Sequence, residues 1–222
     1  MRGHDVFVTG ATGYIGRALV PALLSRGHTV RALVRPGSER NAPAGVQCVR
    51  GDALDAASYR EQVAPADTFV HLVGTPHPAP WKGRAFRAVD LVSIEAAVDA
   101  ARYGGVGHFI YLSVAQPAPV MAAYIAVRQE GEKLLERSGL AHTVVRPWYV
   151  VGPGHYWPLV VLPAYRLLEK LPATREMALR LGLIRLEQMV AALADAVEHP
   201  AAPSRVIGVA EMRGLRGSLH AV

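Results

Sequence analysis

Hydrophobic positions fall into two rhythms along this chain. Short continuous apolar runs such as "VFV" after Asp5, "FVHLV" and "FIYLSV" are bounded by turn residues, and between them lie longer segments whose apolar residues return every three or four positions. Continuous runs suit strands buried on both faces, and the longer period suits amphipathic helices. Their alternation is the pattern of βαβ units around a parallel sheet. The pattern predicts strands over Val6 to Thr9, Thr29 to Val34, Val46 to Val49, Thr68 to Val73, His108 to Ser113 and His142 to Arg146. Helices are predicted over Gly13 to Arg26, Arg84 to Arg102 and Ala122 to Arg137, with a short one near Ala56 to Val63, so that both sheet faces are covered.

The character changes after Gly152-Pro153-Gly154. "WPLVVLPAYRLLEKL" and "LEQMVAALADAVEHP" read as helical, and Arg205 to Val209 as one more strand. This tail is too short to stand alone. The expected architecture is therefore an α/β fold with a doubly wound parallel sheet and a short C-terminal helical cap. It forms one domain over residues 1–222, with the sheet core in 1–150 and a dependent cap in 151–222 that folds over the C-terminal edge of the sheet, where such folds bind ligands.

Composition supports a packed core: 51% of the 222 residues are hydrophobic and 19% are charged. A net charge of +6 and a pI near 9.8 raise the question of nucleic acid. The charges are scattered and almost all arginine, however, and the densest stretch, Arg175 to Arg185, interleaves them with Glu176 and apolar residues as a solvated helix face would. No nucleic-acid partner is expected, while a general attraction for anionic ligands is. The lone Cys48 has no partner, no charged start leads into an apolar leader, and no apolar run approaches the ~20 residues of a spanning helix. These features predict a soluble cytoplasmic protein without an integral membrane segment.

Chemistry first becomes visible in "VFVTGATGYIG", where Gly10, Gly13 and Gly16 follow a predicted strand and open a predicted helix. Gly10 permits the tight turn, Gly13 lets backbone approach a pyrophosphate, and Gly16 lets the helix pack close to the strand. The helix N-terminus then offers N–H groups and a positive dipole to the phosphates. Strand, turn, helix and second strand fall within a unit of about 30 residues, the context that makes this motif a Rossmann-type dinucleotide site. An acidic residue roughly 20 positions further on would suit the ribose of NAD, whereas an arginine accommodates the 2′-phosphate of NADP. The second strand ends "ALVRPGSER", with Arg35 at its end and Ser38 and Arg40 in the loop, which favours NADP and leaves NAD open.

On these motifs the chain resembles the short-chain dehydrogenase/reductase superfamily, in its extended and atypical branches. Thr9-Gly10-Ala11-Thr12-Gly13-Tyr14-Ile15-Gly16 resembles their TGxxGxxG turn, Gly51-Asp52 their adenine-contacting pair, and Leu72-Val73-Gly74 the strand that passes behind the cofactor. "SGLAHTVVRPWYVVGPG", with Pro147, resembles the segment that closes over the nicotinamide end. The flavour is that of the NAD(P)-binding subunit of respiratory complex I and of NmrA-like proteins, with sugar-nucleotide epimerases and dehydratases more distant. The resemblance implies that Gly10, Thr12, Gly13, Tyr14, Ile15, Gly16, Arg35, Asp52, Leu72, Val73, Gly74 and Pro147 bind cofactor.

Active members of that superfamily use a Tyr as general acid/base, a Lys four residues later to favour its phenolate, and a Ser to orient the carbonyl. A phenol titrates near ~10, so a cation beside it is a physical requirement for proton exchange at neutrality. The corresponding positions are Ser113, Tyr124 and Arg128. Arg128 departs from the pattern, since its planar fork does not replace a compact ammonium. Two readings stay open: an NADP-dependent oxidoreductase or epimerase-like enzyme acting on a carbonyl or hydroxyl compound, and a non-catalytic dinucleotide-binding protein serving as redox sensor or structural subunit.

Other chemistry finds less support. The nine histidines show no ligand spacing and there is one cysteine, so no metal site is expected, and His71 in its apolar strand reads as a satisfied core residue. No G-x-S-x-G elbow is present. His77 to Lys82, with Trp81, could line a pocket or stiffen a surface turn, and Trp148, Tyr149, Tyr156 and Trp157 could wall a site or pack in the core. Trp157 to Leu171 reads either as a lid helix or as an interfacial helix. The two long helices leave open a homodimer or docking to a larger complex.

Overall fold

A computed structural model of the chain describes residues 3–156, 160, 168 and 171–215. Seven parallel strands form its sheet: β1 (Asp5–Thr9), β2 (Thr29–Val34), β3 (Gln47–Arg50), β4 (Thr68–His71), β5 (His108–Leu112), β6 (His142–Arg146) and β9 (Ser204–Gly208). Their order is β3-β2-β1-β4-β5-β6-β9. It grows outward from β1 in both directions, so the connections leave a crevice between the C-terminal ends of β1 and β4, the topological switch point of doubly wound sheets.

Side-chain alternation divides the core into two layers. Val6 and Val8 of β1, Val70 of β4 and Ile110 of β5 face α1 (Tyr14–Ser25) and α5 (Leu186–Glu198), where Leu19, Leu23, Met189 and Leu193 complete one cluster. On the other face, Phe7, Phe69 and Phe109 sit in register on neighbouring strands, with ring centroids 5.1 Å and 5.0 Å apart. They pack against Ile94, Ala97 and Val98 of α2 (Val92–Tyr103) and Val127 and Leu135 of α3 (Ala122–Arg137). Burying each ring stabilises the fold by about 1.5–3 kcal/mol, and the ladder fixes strand register, because a one-residue slip would send every ring to the opposite face.

Several boundaries differ from those the pattern predicts. β4 stops at His71 and β5 at Leu112, so Leu72 to Gly74 and Ser113 belong to the loops at the sheet's edge. The Ala56 to Val63 helix is two 3₁₀ turns, Ala56–Ser58 and Arg60–Gln62, the first begun by Asp55, whose carboxylate accepts from the Ala57 N–H. The long second helix is entered through the turn Gly83–Ala85 and a π-helical stretch, Phe86–Leu91. Arg175 lies on α4 (Pro172–Arg180), but this helix ends five residues short of Arg185, which closes strand β8 (Leu183–Arg185). β8 pairs with β7 (Tyr149–Val151) in a small parallel sheet that the periodicity gives no sign of, three residues being too few to set a rhythm.

The C-terminal residues do more than cap. α5 fills the layer beside α1, β9 extends the sheet beyond β6, and α6 (Val209–Gly214) closes that end. Cys48 is exposed on the edge strand β3. Almost all of Trp157 to Leu171 lies outside the described residues. Among the described residues no helix is long and apolar enough to cross a membrane.

Candidate functional site

The glycine turn leaves β1 at Gly10, whose φ of +79° is open to glycine and strained for other residues. A Cβ on Gly10 would come within 2.9 Å of the Leu72 carbonyl carbon, and one on Gly16 would run into the Gly10 carbonyl and lie 2.6 Å from Ala11 Cα. The turn is thus pressed against both the β4 loop and its own helix. α1 starts at Tyr14 with Gly13 as its N-cap, which supplies no side-chain acceptor, and no acidic residue occupies the first turn. Backbone N–H groups and helix dipole therefore face outward unneutralised beside exposed Gly13 and Tyr14 and half-buried Thr12. A cradle that a Cβ would fill, at the positive end of a helix, fits a dinucleotide pyrophosphate.

The other expected cofactor residues follow along the same edge, because all these strands are parallel and their C-terminal ends lie together. Arg35 follows β2 and Asp52 follows β3, and both are exposed. Leu72 follows β4 and donates its N–H to the Thr9 carbonyl at 3.1 Å, and Pro147 follows β6. Gly74 has a separate reason for being glycine: a Cβ there would collide with the Arg128 guanidinium.

A cavity of 460 Å³ opens at the far part of this edge. Tyr14 and Ile15 bring the glycine turn to it, Leu112, Ser113 and Val114 come from the end of β5, and Met121 and Tyr124 from the start of α3. The segment Pro147 to Val150, together with His77, Pro78 and His155, closes the remaining wall. Two predicted catalytic residues and three predicted cofactor residues therefore meet in one space. Trp148 and Tyr149 do wall the site, whereas Trp81, at 83% exposure, and Tyr156, at 57%, project into solvent; Trp157 lies outside the described residues.

Arg128 is not in the cavity wall. It is buried on the far side of Tyr124, where its Nη2 pairs with Asp90 Oδ1 at 2.6 Å and its Nη1 donates to the Leu112 carbonyl at 2.8 Å. Asp90, in the π-helical stretch, uses Oδ2 to accept from the N–H and hydroxyl of Thr75 at 3.0 Å and 2.5 Å. The pair bolts the β4 loop, the end of β5 and two helices together. Burial alone would lower the Arg128 pKa, but Tyr124, Tyr111 and Asp90 outweigh it and hold the group above its ordinary value, so it stays charged. Its guanidinium carbon lies 5.2 Å from the centre of the Tyr124 ring, a cation–π contact with the ring face. Phe86 supports the same ring at 4.9 Å.

Ser113 is similarly engaged. Its hydroxyl donates to Glu132, whose carboxylate also accepts from Arg146 Nε and Nη2 at 3.0 Å and 2.6 Å and from Gln116 Nε2. In this arrangement Ser113 presents lone pairs to the cavity and its proton to Glu132. Glu132 was absent from the sequence-based candidates, yet Tyr124, Arg128 and Glu132 repeat at spacing four on α3, so the signal lay one step beyond the pair considered. Asp90 and Thr75 had no such signal, because only the tertiary fold joins them to Arg128.

His71 is a satisfied core residue, with Nδ1 2.8 Å from the Thr9 hydroxyl and Nε2 3.3 Å from that of Ser93. Burial first, and the Arg128 charge second, push its pKa down to about 3, so the ring is neutral. Among the described residues no group of His, Cys, Asp and Glu is arranged to hold a metal ion.

Comparison with known proteins shows the family and the fold. A family model described as NAD(P)H-binding matches residues 10–153. The ceramide reductase of Caulobacter vibrioides is 29% identical over 95% of this chain, which spans 65% of that protein's length. The 3-diazoavenalumate denitrifying reductase of a Streptomyces species is 33% identical over 88% of the chain and 73% of its own length. In fold, the chain is similar to MoeE5, solved in complex with UDP-glucuronic acid and NAD, with a TM-score of 0.69 at 21% identity over 96% of this chain and 83% of that one.

Proposed function

From the premise that this chain belongs to the NAD(P)H-binding family, we propose that it is a nicotinamide-dependent reductase of a carbonyl compound, using NADPH. The observation that carries the reading is the meeting of Tyr124 and Ser113 with Tyr14, Ile15 and Pro147 around one cavity. The reductase names of the two relatives support the same class. Gly10, Gly13, Gly16 and the first turn of α1 would hold the pyrophosphate, Asp52 the adenosine end, and Leu72, Val73 and Pro147 the stretch toward the nicotinamide. Arg35, exposed at the end of β2, would meet the 2′-phosphate. When bound, the reduced nicotinamide supplies a hydride to the carbonyl carbon. Tyr124 donates its phenolic proton to the oxygen as the C=O π bond opens, leaving an alcohol, and its ring is held for this by Phe86 and Arg128. Ser113, whose hydroxyl donates to Glu132, has lone pairs left to accept from the product's hydroxyl once the alcohol has formed.

Mixing the protein anaerobically with NADPH and a panel of ketones, aldehydes and nucleotide sugars tests this, with NADPH absorbance followed beside a thermal-shift titration. Turnover that falls by about 10²–10⁴ in Tyr124→Phe is the expected result. Unchanged turnover would remove Tyr124 from its role. A second reading, a dinucleotide-binding protein without turnover, is favoured by one observation: the Arg128 guanidinium is buried, committed to Asp90 and outside the cavity wall. NADPH binding with no turnover on the whole panel is its signature.

A further inference from the structure

The chemistry of the cavity wall says what kind of molecule fits. None of its described lining residues is Lys, Arg, Asp or Glu. Three arginines of flanking elements are already engaged: Arg128 with Asp90, Arg146 with Glu132, and Arg180 with Glu176 and the Pro117 carbonyl, and Lys82 beside the His77 wall donates to the Pro76 carbonyl at 2.9 Å. A ligand carrying a pyrophosphate would find no counter-charge among these groups and would keep its water or stay out. Aromatic faces and edges take up much of the remaining wall. Trp148 and Tyr149 meet edge to face at 5.6 Å, and Tyr14 and His155 lie 5.5 Å apart.

Backbone strain marks the same place. Among the described residues the non-glycine positions with left-handed φ are His77, at 48°, and Met121, at 63°, and both line this cavity. Such conformations persist where the surrounding structure holds them. At Met121 the strained turn opens α3 and places a flexible, polarizable side chain in the wall, a group that adapts to irregular apolar shapes. The volume of 460 Å³ lies within the range of small-molecule sites and, with Tyr14, Ile15 and Pro147 in its wall, is shared by the nicotinamide end of the cofactor and the substrate.

We infer that the cavity takes a neutral, largely apolar carbonyl compound bearing an aromatic or alkyl portion, excludes nucleotide sugars, and uses Met121 to set the fit. This assignment rests on the reductase reading above and names the substrate class of that site. Equilibrium dialysis of 2-acetonaphthone and of UDP-glucose, each with saturating NADP⁺ and without cofactor, tests it. The expected result is that the naphthyl ketone binds roughly 100-fold more tightly than UDP-glucose. Met121→Gly, which removes the side chain and relaxes the backbone, weakens the ketone about tenfold. If that variant does not fold, Met121→Asn serves, since asparagine tolerates the left-handed region. Equal or tighter binding of UDP-glucose, retention of neither compound, or a ketone affinity indifferent to position 121 each overturns the inference. Failure of NADP⁺ itself to bind would instead strike the underlying reading, and the dialysis without cofactor would still judge the cavity.

Discussion

Asp90→Ala removes the anion that the buried Arg128 is built around. The two side chains are 0% and 4% exposed, and three donors converge on the Asp90 carboxylate: the guanidinium at 2.6 Å and the Thr75 N–H and hydroxyl at 3.0 Å and 2.5 Å. After the change, Arg128 Nη2 keeps only a 3.4 Å contact to the Val73 carbonyl, and its charge stays in the interior. Leaving one partner of a buried pair uncompensated costs about 3–5 kcal/mol, a large fraction of the roughly 5–15 kcal/mol that holds a domain folded. At about 2–4 °C per kcal/mol for a chain of this size, the melting temperature falls by roughly 6–20 °C. Urea unfolding followed by circular dichroism measures the loss. The decisive control is the double variant Asp90→Leu with Arg128→Met, which removes both charges and regains most of the stability. A single Asp90→Ala loss below about 1 kcal/mol, or a double variant no better than the single one, would refute the claim that this pair is a charge-matched bolt.

Arg35→Asp lowers affinity for NADPH by about tenfold or more while sparing NADH, read as the ratio of dissociation constants by nicotinamide fluorescence; an unchanged ratio removes Arg35 from the 2′-phosphate. Gly16→Ala drives a methyl into the Gly10 and Ala11 backbone, costs about 1–3 kcal/mol and abolishes the NADPH thermal shift; a variant that is stabilised by NADPH as before would show that the turn can give way. Stability also depends on pH through His71 and His108, whose pKa values burial depresses to about 3 and about 4 from an ordinary value of 6.5. The unfolded chain binds the extra protons between these values, so stability is complete above pH 6.5 and falls as pH drops toward 4, by up to about 1.4 kcal/mol per pH unit for each ring. Equal urea midpoints at pH 7 and pH 5 would contradict this.

How much of this was legible in the sequence depended on how far each signal reached along the chain. β1, the glycine turn, α1 and β2 were legible because hydrophobic rhythm and glycine spacing are local properties, and the turn does press backbone on backbone as Gly10 and Gly16 require. The pair Tyr124 and Arg128 was legible as one helix face, but its meaning was not. The resemblance made Arg128 the cation beside Tyr124, and the fold does set it against that ring, but it also turns it inward to an aspartate 38 residues away that no periodicity connects to it. Strands β7 and β8 escaped because pairing, and no pattern of their own, makes them strands.

The contact between Gly74 and Arg128 restricts the order in which this site can change. While the guanidinium occupies the space a Cβ would need, any side chain at position 74 has to displace it from its contact with Asp90. Replacing Arg128 with the shorter-headed lysine first would open that space, after which position 74 could be varied. The two positions are therefore epistatic, and a mutational library that samples position 74 alone would score its substitutions with the cost of moving Arg128 included.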